Sequence, residues 1–104
     1  PQRAAFEQEF LATYKHRPHR LASLAFDATA LAAVLAQQTG DVPDRRAAFA
    51  SAKLTSPNGF AGIDGIFRLL PSGEADRGLA IIEISRNDFR VVNPAPTSFQ
   101  AAVN

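Results

Sequence analysis

Two histidines, one carboxylate in an apolar setting and a set of glycines are the residues whose type and spacing could do chemistry. His16 and His19 stand three apart, which would suit a pair of metal ligands on one helical turn. Pro18 lies between them, so they cannot share a helix face, and no third ligand stands close by in the sequence. They predict a hydrated helix junction. Lys15, Arg17 and Arg20 beside them could instead collect an anion at the start of the following helix, although charges at helix ends are usually just hydrated. Asp27 is the more pointed case, because it sits among Phe26, Ala28 and Leu31 in the middle of an apolar helical stretch. A carboxylate there needs a partner, since an unpaired buried charge is costly or becomes protonated. A structural hydrogen bond to neighbouring backbone or side chain is the expected partner, with ligand contact as the alternative.

Gly59, Gly62 and Gly65, in GFAGIDG, have the look of a phosphate-cradling loop. Such a loop follows a strand and opens a helix, with a lysine in the nucleotide-triphosphate version. Here the glycines follow a turn, Ser56-Pro57-Asn58-Gly59, and open a strand, so they read as turn residues. Glu74, Asp76, Glu83 and Asp88 form no pair with an acid/base geometry, and no Ser-His-acid order stands out. The expectation is a protein that is not an enzyme, with no metal and no cofactor.

The elements that must position these residues are three helices followed by short strands, an α/β arrangement. Phe6, Phe10 and Tyr14 fall four apart, giving residues 2–15 one aromatic stripe and a polar back of Glu7, Gln8, Thr13 and Lys15. The basic run before Pro18 suits a helix C-terminus, and Pro18 disfavours helical geometry at Arg17. A central helix then runs from about Pro18 to Gly40. Leu21, Leu24, Ala25, Ala28, Leu31, Ala32 and Leu35 repeat at helical spacing, and Phe26, Ala30, Ala33 and Val34 make the opposite side apolar too. This helix wants cover on every side. Asp41 as N-cap, Pro43 in the first turn and Asp44 three residues on predict a third helix over about 42–53.

From residue 60 the period changes. Ile66–Leu70, Leu79–Ile84 and Phe89–Val92 are apolar, β-branched-rich runs bounded by turn residues, and the last two read as a hairpin. The run LAIIEI is apolar on both faces apart from Glu83, as in a strand covered above and below. Asn93-Pro94-Ala95-Pro96 ends the sheet, because proline cannot donate to a ladder.

Eleven basic against ten acidic residues in 104 leave a charge of +1, so charge alone draws the chain toward neither nucleic acid nor anionic membrane. Cysteine is absent, which removes disulfides and thiolate metal sites but fits either redox compartment. Arg20 and Asp27 interrupt the best apolar run well short of a membrane span. The amphipathic start differs from a signal peptide. The central helix and the LAIIEI strand ask for more partner surface than the predicted elements supply, so the sequence predicts a portion of a larger α/β protein, covered by an N-terminal part or by a second copy.

Three stretches taken together carry a resemblance. AFDATALAAVLA at 25–36, GFAGIDGIFRLLPSGEADRGLAIIEI at 59–84 and FRVVNPAP at 89–96 resemble the C-terminal end of type I periplasmic binding proteins of the leucine/isoleucine/valine-binding kind. The usual elements there are an alanine-rich helix with a Tyr-Asp-Ala core, a Phe-x-Gly-x-x-Gly turn, a strand, an acidic-polar turn and a closing hairpin; Phe26 stands where tyrosine is more usual. Asp-Gly-Ile-Phe-Arg (64–68), Arg-Gly-Leu-Ala (77–80) and Pro-Ala-Pro (94–96) are similar to a branch described as penicillin-binding protein activators.

The resemblance implies a two-lobed α/β fold of which residues 1–96 are the C-terminal segment, with 97–104 as a loosely ordered tail. It implies Phe26 and Asp27 as packing residues of a lobe helix, with Leu31, Gly62 and Gly65 also structural, and it puts most ligand-contacting residues upstream of this segment. The implied function is a non-catalytic, periplasmic solute-binding component of an ABC-type transporter, taking a small polar ligand of the amino-acid class and signalling to a membrane permease. The implied alternative is an envelope regulator that binds a peptidoglycan synthase and no solute. An intracellular α/β enzyme fragment would require a nucleophile or cofactor loop that the sequence does not offer.

Overall fold

The computed structural model describes residues 2–99; Pro1 and residues 100–104, the greater part of the expected tail, lie outside the described residues. The order of elements is α1 (Gln2–Tyr14), α2 (Ala22–Thr39), a 3₁₀ helix (Arg45–Phe49), α3 (Ser51–Leu54), and strands β1 (Phe60–Gly62), β2 (Gly65–Leu69), β3 (Ala75–Arg77), β4 (Ile81–Ser85) and β5 (Asp88–Asn93). The chain is therefore mixed α/β, with helices first and strands after. It divides into two compact units, one made of residues up to 54 plus 62–64, the other of 55–61 plus the residues from 65 on.

In the helical unit, α1 ends where Lys15 takes a left-handed conformation, φ 64°. Its N–H donates to the Leu11 carbonyl and its Nζ to the Ala12 carbonyl at 2.7 Å, so one basic residue satisfies two of the helix's terminal acceptors. The all-round cover expected of α2 is not what these residues provide: Leu24, Phe26 and Val34 are exposed. The buried residues of α2 are Ser23, Asp27 and Leu35, and with half-buried Leu31 they form one stripe at four-residue spacing. That stripe holds the two most buried polar side chains of the described residues, Ser23 at 0% and Asp27 at 6% exposure.

The α2 helix stops at Gly40, φ 72°, whose N–H still reaches the Ala36 carbonyl. The continuous third helix over 42–53 does not form. Asp44, rather than Asp41, is the N-cap: it is extended, φ −103° and ψ 98°, and its side chain accepts from Arg46 N–H at 3.1 Å. An extended Asp44 delays the start, and Ala50, extended with ψ 148°, divides the helical stretch into a 3₁₀ turn and the single turn of α3. Ala48 is the buried residue of this region.

In the strand unit, β1, β2 and β3 form one sheet in that order, with β2 antiparallel to β3 through Phe67↔Arg77, Arg68↔Asp76 and Leu69↔Ala75. β1 and β3, three residues each, are too short to show a period-2 signal in sequence. Phe67 is the buried apolar residue of β2, beside Phe60 at 5.8 Å between ring centres and beneath the Arg77 guanidinium.

The expected hairpin is present as β4 and β5, paired Ile82↔Val91, Glu83↔Arg90, Ile84↔Phe89 and Ser85↔Asp88. Alternation places Ile82, Ile84, Phe89 and Val91 on one face and the Glu83–Arg90 ion pair, 2.6 Å, on the other. Every residue of both strands is exposed, Ile84 to 76% and Phe89 to 61%. The cover that LAIIEI asks for is not supplied by the described residues.

Candidate functional site

Residues 62–64 are the point on which the polar side chains of the helical unit converge. Ser23 and Asp27 lie one turn apart on α2, and Arg3 and Glu7 one turn apart on α1. Ile63 N–H donates to Asp27, at 3.0 Å to Oδ1 and 3.3 Å to Oδ2. Asp64 accepts from Arg3 Nη1 at 2.9 Å on Oδ1 and 3.1 Å on Oδ2, and from Ser23 Oγ at 2.6 Å on Oδ2. Arg3 Nη1 also donates to Ser23 Oγ at 3.1 Å, and Arg3 Nε to Glu7 Oε1 at 3.0 Å. The hydrogen bonds that Arg3 donates to Asp64 and then to Glu7 push its guanidinium above its already high ordinary value. Its positive charge persists at every pH below that value and fades only in stronger alkali.

The chemistry open to this cluster is limited by how fully its groups are committed to one another. Ser23 donates its hydroxyl proton to Asp64, and Asp64 is itself neutralised by Arg3, so the serine has no free base to activate it. Among the described residues no buried side-chain polar atom lacks a partner. The cluster is a clamp that fixes residues 62–64 against the two long helices of the same unit. Asp27 thus has a backbone N–H as the partner a buried carboxylate requires.

The other sequence candidates contribute no side chain to the clamp. His16 Nδ1 faces the Arg17 carbonyl at 2.9 Å, and His19 Nδ1 accepts from Leu21 N–H at 3.2 Å, so both rings serve the α1–α2 junction. No group of three potential metal ligands occurs among the described residues. Asp76 accepts from Arg68 Nε at 2.9 Å, Glu74 Oε2 from Ser72 Oγ at 3.1 Å, and Asp88 Oδ1 from Phe89 N–H at 2.8 Å. Phe26 is 48% exposed, with its ring edge-on to Phe6 at 5.3 Å. Gly62 is buried at the end of β1, and Gly65, φ 119°, opens β2.

Hollows with room for a small molecule occur in the helical unit, among them one of about 290 Å³ beside Ala4, Glu7, Gln8, Leu11 and Arg17 and two that border elements already described. Of these two, one, about 290 Å³, is bounded by Ala36, Thr39, Asp41, Arg45 and Phe49; its Thr39 hydroxyl is already engaged, donating to Leu35 O and accepting from Lys53 Nζ. The other, about 200 Å³, lies along the aromatic stripe of α1.

Three members of the clamp, Arg3, Ser23 and Asp64, were not singled out by the sequence. Ser23 passes for one of several small polar interruptions of an apolar helix, and Asp64 for part of a glycine turn. Their only signal was that Ser23 and Asp27 share a helix face. No helix of the described residues is long and apolar enough to cross a membrane. No protein-family model matches the chain, and neither does any curated protein or solved structure.

Proposed function

We propose that this chain is the C-terminal segment of a two-lobed extracytoplasmic solute-binding protein of the leucine/isoleucine/valine-binding kind. In this reading it is a non-catalytic receptor that closes on a small polar ligand of the amino-acid class and signals to a membrane permease from the periplasm. The observation that carries the reading is the Asp27–Ile63 hydrogen bond. It joins the Phe-Asp-Ala core of the helix to the GFAGIDG turn, the two stretches on which the resemblance chiefly depends. A role in a larger body is further supported by the hairpin, whose apolar face of Ile82, Ile84, Phe89 and Val91 is exposed and suited to a covering layer of polypeptide. The clamp fits this role as structure, and the ligand is held elsewhere, by residues upstream of this segment.

The experiment is a thermal-shift titration of the full-length protein with leucine, isoleucine and valine, paired with native mass spectrometry of the material as purified. A ligand-dependent rise in melting temperature, or a small-molecule mass that leaves on denaturation, is the expected result. A protein that binds no solute by either measure overturns the receptor reading.

A second reading, an envelope regulator that contacts a peptidoglycan synthase, is favoured by one specific observation. The residues that distinguish the activator-like branch pack on one another in the strand unit: a Cβ at Gly78 would lie 2.7 Å from Ile66 and 3.2 Å from Pro96, and Arg77 covers the Phe67 ring. Retention of a synthase by the immobilised full-length protein, without a solute effect, selects this reading.

A further inference from the structure

We propose that the groove between α1 and Phe26 is a binding site for a small organic ammonium ion of about choline's size. The groove, about 200 Å³, is lined by Phe6, Phe10, Tyr14 and Phe26 together with Glu9 and Thr13. Its rings are held by one another: Phe10 lies 4.6 Å from Tyr14 and 6.1 Å from Phe6, and Phe6 meets Phe26 edge-on at 5.3 Å. Aromatic faces carry negative potential and attract a cation. The second observation is Glu9. Its neighbour Glu7 is paired with Arg3, whereas Glu9 has no ion-pair partner among the described residues. His16 sits edge-on to Phe10 at 5.5 Å and turns Nδ1 to a backbone carbonyl.

Charge complementarity decides the occupant. An apolar layer laid over these rings would strip water from the Glu9 carboxylate and give it nothing in return. An anion would be repelled by it. A compact ammonium ion satisfies both the ring faces and the carboxylate, and the volume suits a quaternary head group. The rings and the carboxylate are all half-buried or exposed, so binding in roughly the millimolar range is expected. This site involves neither the clamp nor the hairpin and does not rest on the receptor reading.

The chain has a single tyrosine and no tryptophan, so its ultraviolet emission reports on Tyr14 alone. The test is to titrate choline chloride at constant ionic strength, beside the neutral alcohol in which carbon replaces choline's nitrogen. The expected result is a saturable change in Tyr14 emission with choline and none with the neutral isostere. Glu9→Gln should weaken binding about fivefold, the size of an exposed ion pair. Phe26→Leu, which keeps apolar bulk but removes a ring face, should weaken it as well, with circular dichroism confirming that both variants stay helical. Equal responses to choline and its isostere, no response, or unchanged affinity in both variants would overturn the proposal. So would an emission that depends on protein concentration and not on choline, which would assign the groove to a second copy of the chain.

Discussion

Asp27 shows how a single residue can reveal more than its surroundings suggest. A carboxylate in an apolar helix demands a partner, and the partner is the N–H of Ile63, far along the chain. Hydrogen bonds to a charged acceptor are among the stronger ones in folded proteins, and deleting the acceptor leaves the N–H unsatisfied. Asp27→Ala should therefore cost about 2 kcal/mol in a urea unfolding experiment. Asp27→Asn, which keeps a carbonyl acceptor, should cost clearly less. Leu31→Asp is more severe, at several kcal/mol, because it places a second carboxylate one turn from Asp27 within the same stripe. An unchanged midpoint for that variant would mean the stripe does not bury it. The demand for a partner was legible in the sequence. Which atom answers it was not, because nothing in local spacing links residue 27 to residue 63, and the same distance hid Arg3, Ser23 and Asp64.

The legibility of whole elements depended on length and period. α1 and α2 repeat their apolar residues over many turns, and β4 and β5 are joined by a short turn, so all four were readable within a few residues. Short pieces were not: β1 and β3 are three residues each, and extended residues at 44 and 50 broke the expected third helix. The buried face of α2 was also misread, because Ser23 and Asp27 share its stripe with Leu31 and Leu35 while Leu24, Phe26 and Val34 stay exposed.

Two glycines separate steric need from conformational need within the strand unit. A Cβ on Gly59, φ 68°, would meet the Phe67 carbonyl at 2.5 Å and the Phe99 ring at 2.8 Å, whereas Gly73, φ 93°, opens onto free space. Gly59→Ala should thus lower stability by about 2–3 kcal/mol, and Gly73→Ala by about 1 kcal/mol, read as melting temperatures. In the hairpin the expectation is reversed. Ile84→Thr, at a largely exposed position, should leave unfolding within about 0.5 kcal/mol while reducing the binding of a hydrophobic dye. A large loss of stability would mean that Ile84 is covered in solution.

For the molecule as a whole, the division of the chain matters more than its order of elements. Residues 62–64 belong with the helices, although residues on either side of them belong with the strands. The sequence therefore visits the helical unit, leaves it, returns for three residues and leaves again. No single cut can separate the units with both intact. A chain truncated after Leu54 would keep both long helices and the histidine junction but would lose Ile63 and Asp64, stranding the Asp27 carboxylate and leaving Arg3 and Ser23 without their shared acceptor. Limited proteolysis should accordingly find that nicking near residues 55–58 loosens the helices as well as the strands, and the helical half is not transferable on its own as a module.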